Sequence, residues 1–446
     1  VSTSTDRLDS PSAVRVGLLG CGNVGAALVG LLAERADATS EAAGVTLELA
    51  GIAVRSTTRD RGDHIDPALL TTDAEALVRD PDVDVIVELI GGVEPARTLI
   101  LQAIEAGKPV VTGNKELLAN HGGELYAAAG AAGVDLLFEA SAAGAIPIIR
   151  PLRESLLGED VRVVMGIVNG TTNYILTRMA EEGVAYEEVL ADAQQLGYAE
   201  RDPTADVEGY DAGAKAAIMA SIAFGATVVA GDVYHEGIAD ITQDDIEFAR
   251  RFNYTIKLLA IAERFDDRGD AGGSGDGPEI GVRVYPAMVP DDHPLAAVRG
   301  SFNAVFVEGG AAGELMFYGR GAGGLPTASA VLGDLIDAAA NLRRRTFHPV
   351  PSGPRARIRP IDDLETAYYI GIRVSDHPGV LATVAGVFGR NDVSILAMQQ
   401  EGSGDEAKIA FITHTARERD VQATVGELRH LDEVHDIHSL LRVIES

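Results

Sequence analysis

Tryptophan is absent from these 446 residues, and cysteine occurs once, at Cys21. A lone thiol cannot close an intramolecular disulfide, and such cysteine usage fits a reducing, cytoplasmic setting. Long apolar runs are missing too. The longest, such as Val83 to Ile90 and Leu315 to Tyr318, fall far short of the roughly 18 residues of a membrane-spanning helix. Val1 to Ala13 is rich in Ser, Thr and Asp without the basic flank and apolar core of a signal peptide, so it is expected to be a frayed tail. Positive charge is in short supply: 37 basic residues face 67 acidic ones, a formal net charge of −30. That balance excludes a general nucleic-acid or anionic-membrane binder, because phosphate neutralisation needs a basic face. The one dense basic run, Arg343-Arg344-Arg345, fits the C-terminal dipole of a helix.

Lysine is the scarcest charged residue, with only Lys108, Lys115, Lys215, Lys257 and Lys408. Ammonium surrenders its proton near neutral pH when its surroundings lower its pKa, and guanidinium does not. Lys215 closes an acidic series, Glu200, Asp202, Asp206, Glu208 and Asp211. Two readings stand for it. Asp211 and Lys215 are spaced as an i,i+4 pair, contributing ~0.2–0.5 kcal/mol on a solvated helix face; alternatively they belong to a site. A divalent ion held by Glu200, Asp202 and Asp206 is the weaker reading of the acids, since no His stands at ligand spacing near them.

What is present is an ordinary apolar content, 46%, enough for two to four domains. The first 140 residues alternate strand and helix signals. Strands are expected at Val14 to Leu19, Leu47 to Val54, Val83 to Ile90, Pro109 to Thr112 and Leu136 to Phe138, with helices at Pro95 to Ala106 and Lys115 to Ala129. This pattern implies a parallel sheet covered on both faces, a Rossmann-type dinucleotide-binding domain over 14–145, completed by about 310–345. An α+β domain is expected over 146–309, with strands at Val161 to Ile167, Ile280 to Val289 and Ala304 to Val307, a turn at Asn169 to Asn173 and a polar loop at Asp266 to Pro278. A helix is expected from Thr327 to Asn341 and a linker over 346–365, centred on Pro349 to Pro360. Residues 366–446 read β-α-β-β-α-β, the ferredoxin-like plan.

Gly20-Cys21-Gly22-Asn23-Val24-Gly25 stands after a strand and opens a helix, the context a dinucleotide fingerprint requires. The first Gly allows the tight turn, the second lets the backbone approach the pyrophosphate, and the third lets helix and strand pack closely. Cys21 reads as a small packing residue in this loop. The second strand runs into Arg55-Ser56-Thr57 with no acid to accept a ribose 2′-hydroxyl, which favours NADP over NAD. Lys115 follows the end of a parallel strand, where ligands of open α/β sheets bind. A cation at a helix start opposes the helix dipole, so a functional role is favoured over a solvated lysine. Glu139 ends a strand that runs into the small-residue loop Ala140 to Ile146, whose exposed carbonyls beside that one carboxylate suit a hard monovalent or divalent cation.

Taken together, GCGNVG, VVTGNKELLA, FEASAAGAIPII, GIVNGTTNYIL, GYAERDPTADVEGYDAGAK and GRGAGGLPTASAVLGD occur in the order and approximate spacing of homoserine dehydrogenases, and the chain resembles that family over roughly 14–340. The C-terminal unit, with Asp376-His377-Pro378-Gly379-Val380-Leu381, resembles an ACT domain. The resemblance implies NAD(P)-linked interconversion of L-aspartate 4-semialdehyde and L-homoserine. It implies proton transfer by Lys215 beside Asp211, with substrate held by Glu200, Asp206, Gly170, Thr171 and Lys115. It implies cofactor contacts at Gly20, Gly22, Asn23, Val24, Gly25, Arg55, Gly91, Lys115 and Gly321. A sodium site is implied at Glu139, Ala142, Gly144 and Ile146, although the loop has Ala143 and Gly144 where Gly then Ala is common. Threonine is the implied effector of the ACT domain, acting within a homo-oligomer, a dimer or tetramer. Two competing readings are an ACT-bearing dehydrogenase of a 2-hydroxy acid and a regulatory protein that has lost its activity.

Overall fold

The computed structural model describes residues 13–62, 64–265, 277–351, 353–402 and 407–445. The expected N-terminal tail, up to residue 12, and the polar loop over 266–276 lie outside them.

Two sheets organise the chain. The first is parallel, with strands β1 (Val14–Leu19), β2 (Leu47–Ala53), β3 (Leu70–Thr71), β4 (Val85–Glu88), β5 (Val110–Thr112) and β6 (Leu136–Leu137) in the order β3-β2-β1-β4-β5-β6. Helices α1 (Asn23–Ala43), α2 (Ala74–Arg79), α3 (Ala96–Glu105) and α4 (Lys115–Ala132) connect them. The order reverses between β1 and β4, and a reversal point of this kind opens a ligand crevice beyond the carboxyl ends of the strands. Val85, Ile86 and Val87 are fully buried, as expected of a strand covered on both faces. The strands end about where the sequence places them; β3 and α2 are short elements that the sequence reading passed over.

The second sheet is mixed. The α+β region supplies β7 (Val161–Ile167), α5 (Gly170–Glu182), α6 (Tyr186–Gln195), α7 (Thr204–Val207), α8 (Tyr210–Phe224), β8 (Tyr234–His235), α9 (Gln243–Arg251), β9 (Tyr254–Arg264), β10 (Glu279–Pro290), β11 (Phe302–Gly309) and β12 (Gly313–Arg320). Strands β9 and β12 were not anticipated. Asn169 to Asn173 is not a free turn but the start of α5: the Asn169 side chain accepts a hydrogen bond from Thr172 N at 2.9 Å and caps the helix. Helix α8 is buried from Asp211 to Phe224 apart from the half-buried Ala214, so its apolar content serves the core all round.

After β12 the chain returns through α10 (Gly324–Arg344), whose Ala328, Val331, Leu332 and Leu335 share a core with Leu28, Val85 and Val111 of the first sheet. Arg343 and Arg344 occupy its last turn, as the dipole argument expects.

Strand β13 (Arg357–Ile358) pairs with β10, so the Pro-rich segment is docked rather than free. The last unit comprises β14 (Glu365–Val374), α11 (Val380–Arg390), β15 (Ile395–Gly402), β16 (Ala407–Thr413), β17 (Ala416–Arg417), α12 (Glu418–Leu428) and β18 (Val434–Val443). Its strand order β18-β14-β16-β15 is ferredoxin-like. The unit does not stand apart, because β18 pairs in parallel with β10 through Ala287–Arg442 and Met288–Val443 and extends the mixed sheet.

Candidate active site

The two site lysines converge on one carboxylate. Lys215 lies one turn into α8, and its Nζ donates to Asp211 Oδ2 at 2.7 Å and to the Val168 carbonyl at 2.7 Å. Lys115, the first residue of α4, forms an ion pair with Asp211 Oδ1. Asn169 Nδ2 donates both to Asp211 Oδ2 at 2.9 Å and to Asp206 Oδ1 at 2.7 Å. Four residues at the starts of α4, α5 and α8, with Asp206 of α7 as a fifth, thus hold one another where β5, β7 and α7 end. Asp211 and Lys215 are each 8% exposed, which removes the solvated helix-face reading of the pair.

The electrostatics follow from this packing. Burial opposes ionisation of Asp211, but the charges and hydrogen bonds of Lys215 and Lys115 outweigh it and hold its pKa well below the usual carboxylate range. Burial likewise pulls the Lys115 pKa down, yet Asp211 beside it leaves the net value raised. Asp206 is shifted upward, chiefly by burial and against its Asn169 hydrogen bond. Two of the three N–H groups of Lys215 are engaged, and among the described residues the third has no partner.

Thr171 Oγ1 donates to the Tyr198 carbonyl at 2.7 Å, tying the start of α5 to the segment that carries Glu200. Gly170 has no room for a side chain, since a Cβ would stand 2.7 Å from Ser301 O. Glu200 is exposed, and its carboxylate has no hydrogen bond or ion pair among the described residues. The structure therefore joins Asp206, Asp211, Lys215 and Lys115 directly, Gly170 and Thr171 through α5, and leaves Glu200 at the rim. Asp202 is occupied by Thr204, whose N and Oγ1 donate to it at 3.2 and 2.7 Å. Among the described residues no group of three His, Cys, Asp or Glu side chains is arranged to hold a metal ion.

The dinucleotide loop passes a steric test. A Cβ on Gly20 would meet Leu89 O at 2.6 Å and one on Gly25 would meet Gly20 O at 2.4 Å, whereas Gly22 has nothing within 4 Å. Gly20 and Gly25 are thus needed for packing, and the backbone at Gly22 faces open space. Gly22 caps α1 without a side-chain hydrogen bond, leaving first-turn amides of Asn23, Val24 and Gly25 to receive an anion. The residues fit a dinucleotide pyrophosphate. Gly91, at φ +80°, also borders open space. It follows Glu88, a buried carboxylate that accepts from Ile90 N at 2.7 Å and Thr112 Oγ1 at 2.7 Å. Arg55 is exposed beyond β2, and the exposed Arg59 lies on the same loop. The thiol of Cys21 is pushed up by burial, in keeping with a packing role.

Glu139 is buried, and its carboxylate accepts three backbone N–H groups, from Ile148 at 2.5 Å, Ile149 at 2.8 Å and Arg150 at 2.8 Å. Its side chain is engaged in capping the following helical turn and is not the free carboxylate that the sequence reading places beside the loop carbonyls. Ala142, Gly144 and Ile146 are also buried, and their carbonyls accept no backbone hydrogen bond among the described residues. Gly144 abuts Gly321: a Cβ on Gly144 would stand 2.4 Å from Gly321 O. Ala145 N donates to Arg320 O at 3.1 Å. The late Gly-rich turn also reaches the cofactor loop, since a Cβ on Gly324 would stand 3.2 Å from Asn23 O.

Sequence reasoning missed Asn169, taken there as part of a turn; its place three residues before Thr172, at a strand-to-helix junction, was the available signal. It also missed Glu88, which single-sequence patterning cannot separate from an ordinary strand end.

Family models match the chain throughout: homoserine dehydrogenase over residues 147–336, the homoserine dehydrogenase NAD-binding domain over 20–139, and the ACT domain over 368–433. The homoserine dehydrogenase of Mycobacterium tuberculosis is 52% identical over 437 residues, covering 96% of this chain and 97% of its own. That of Corynebacterium glutamicum is 49% identical over 433 residues, covering 97% and 96%. Among solved structures, a homoserine dehydrogenase from Thiobacillus denitrificans superposes with a TM-score of 0.89 at 40% identity, covering 97% of this chain and 99% of its own. A hyperthermophilic archaeal homoserine dehydrogenase in complex with NADPH gives 0.61 at 28% identity, covering 73% and 98%. With its parallel dinucleotide-binding sheet, mixed catalytic sheet and terminal ACT domain, the chain belongs to the homoserine dehydrogenase family and is an NAD(P)-dependent oxidoreductase acting on a CH-OH group.

Proposed function

We propose that the chain reduces L-aspartate 4-semialdehyde to L-homoserine with NADPH, on the route to threonine, methionine and isoleucine, and that Lys215 delivers the proton. The observation that carries this reading is the buried cluster in which Lys215, beside Asp211 and Lys115, keeps one N–H without a partner among the described residues. A nicotinamide dinucleotide at the Gly22 to Gly25 amides, with Arg55 at its ribose phosphate and Gly91, Lys115 and Gly321 bordering it, supplies hydride when bound. Negative charge then grows on the aldehyde oxygen, and Lys215 neutralises it by proton donation. Lys115 adds positive potential. Asp211 fixes both ammonium groups, and Asn169 links that carboxylate to Asp206, which completes the pocket with Gly170 and Thr171. Glu200, whose carboxylate has no partner among the described residues, pairs with the substrate ammonium.

The carbonyls of Glu139, Ala142, Gly144 and Ile146 are the donor set for a sodium ion, which would stiffen the loop against the turn at Gly321. Exchange of sodium for lithium or potassium during thermal unfolding tests that site directly.

For regulation, L-threonine binds the ACT domain at the loop of Asp376 to Gly379 and biases a homo-oligomer toward an inhibited state. Assembly is supported by the two open ends of the mixed sheet. Edge strand β12 exposes Met316 and Tyr318, and edge strand β15 exposes Leu396 and Met398. Initial rates with aspartate semialdehyde and NADPH or NADH, with and without threonine, test the whole reading. Turnover of a 2-hydroxy acid in place of the semialdehyde would overturn it.

A further inference from the structure

Glu88 and Thr112 are the last residues of β4, which borders the reversal of the parallel sheet, and of its neighbour β5. They stand opposite each other in register, and the Thr112 hydroxyl donates to Glu88 Oε2 at 2.7 Å. Both side chains are fully buried. Two loops leave the sheet at this level. One carries Gly91 and Gly92, at φ +80° and +72°, on the cofactor side. The other runs through Gly113 and Asn114 into Lys115, the first residue of α4.

Both loops hang on the same carboxylate. Glu88 Oε1 accepts Ile90 N at 2.7 Å and Gly91 N at 3.2 Å. Because Oε2 takes the Thr112 proton, the Thr112 oxygen is free to accept Asn114 N at 3.1 Å. Asn114 then closes the circuit: its Nδ2 donates to Gly92 O at 2.7 Å, and its Oδ1 accepts Leu117 N at 3.1 Å as the N-cap of α4. The partners of Glu88 are backbone N–H groups and one hydroxyl, not a cation. A carboxylate buried without a counter-charge is a poor source of stability; what this one supplies is a fixed geometry between two loops. Lys115 needs such a frame. Its side chain is 46% exposed, so packing does not hold it, and a cation at a helix start opposes the dipole. Its ammonium meets Asp211 because the first turn of α4 is held in place.

We infer that Glu88, Thr112 and Asn114 are positioning residues that fix Lys115 relative to the Gly91–Gly92 turn, and so relative to the cofactor that borders that turn. They touch neither substrate nor cofactor and act through Lys115. This rests on the reading of the chain as a nicotinamide-dependent reductase in which Lys115 adds positive potential at the aldehyde. Thr112 is the joint of the set, since one hydroxyl donates to the anchor of the first loop and accepts from the second. Valine has its shape without either bond, whereas serine keeps both.

The test is a double-mutant cycle on the full-length protein with aspartate semialdehyde and NADPH. Thr112→Val and Thr112→Ser are each made in wild type and in Lys115→Ala, with circular dichroism to check folding and with enzyme in excess so that slow residual turnover is read. In wild type, Thr112→Val should slow turnover about tenfold, the scale of a small misplacement of a site group, and Thr112→Ser should stay within about twofold. In Lys115→Ala, where the positioned group is gone, Thr112→Val should cost no more than about twofold. An equal loss in both backgrounds, or wild-type turnover in Thr112→Val, overturns the inference while leaving the reductase reading intact. Failure of wild type to turn over the semialdehyde removes the reading underneath it. Asn114→Ser keeps a helix cap and omits the donor to Gly92, so the same cycle on that variant decides where Thr112→Val does not fold.

Discussion

Asp211 accepts Lys215 Nζ at 2.7 Å through one carboxylate oxygen while its other oxygen takes Lys115. One buried anion therefore sets the position and charge of both lysines. Asp211→Asn removes it and leaves two ammonium groups side by side. The expected outcome is a fall in kcat of about 10²-fold, the scale of misplaced acid–base groups. The basic limb of the pH–rate profile should move to lower pH, because Asp211 is what raises the Lys115 pKa. The sign for stability follows from the depressed carboxyl: its contribution is present above the ordinary carboxylate pKa and is lost as pH falls below it. Wild type should thus lose more stability than Asp211→Asn on acidification below about pH 4, measured by denaturant unfolding.

Cofactor preference turns on the loop beyond β2. Arg55 is exposed there without a hydrogen bond among the described residues, and the exposed Arg59 follows it. Arg55→Glu places an anion where a 2′-phosphate would sit and an acceptor where a 2′-hydroxyl would sit. The ratio of kcat/KM for NADPH over NADH should drop at least tenfold, an effect of about 1.4 kcal/mol. An unchanged ratio would show that Arg55 does not read the phosphate.

The ACT unit is bound to the catalytic sheet by a buried guanidinium. Arg442 is 1% exposed; it donates to Glu418 Oε1 at 2.8 Å and Oε2 at 3.1 Å within its own unit, and pairs with Glu236 beyond β8. Removing the guanidinium leaves the buried Glu418 carboxylate without its counter-charge, at a cost of about 3–5 kcal/mol, and frees the half-buried Glu236 as well. Arg442→Met should lower the thermal midpoint and weaken the response to threonine while activity without threonine persists. Deletion of 366–446 is a harsher change, since it also strips β18 from β10. Its product should keep reductase activity, insensitive to threonine, at reduced stability.

Asp334 offers a pH test of opposite sign. Burial and then the charge of Glu139 push its carboxyl up to about 7, against a hydrogen bond from Glu139 N and the charge of Arg150. A raised acid means that the folded chain keeps a proton that the unfolded chain releases, so stability falls as pH climbs from about 4 to 7. The stability difference between wild type and Asp334→Asn should shift against wild type over that window, on the order of a few kcal/mol. Equilibrium unfolding at pH 5 and pH 8 reads it.

Much of this molecule was legible in its sequence because the strands of its parallel sheet are buried on both faces and end in turn glycines, so β1 and β5 fell within a residue of their expected limits, and the antiparallel β7, running into Asn169 and Gly170, did so as well. β9 escaped because Tyr254 to Arg264 is a continuous apolar run broken by the buried Lys257, which lacks the alternation of a half-exposed strand. β12 escaped because apolar Met316 and Tyr318 on its exposed face alternate with the inward Leu315 and Phe317, so the sequence shows no polar–apolar alternation there. In the site, the residue types and the long motifs pointed to Lys215, Asp211 and Lys115, but their meeting depends on α4 and α8 crossing, a tertiary fact. The role of Asn169 is tertiary in the same way: its capping position was readable, but only packing shows that it joins two carboxylates.

Proton delivery by Lys215 is read most directly by steady-state turnover of Lys215→Ala with aspartate semialdehyde, alongside NADPH affinity measured separately. If Lys215 is the proton donor, kcat falls by about 10²- to 10⁴-fold while the dissociation constant for NADPH changes by no more than about threefold. Near-wild-type kcat in a folded, NADPH-binding variant would contradict it.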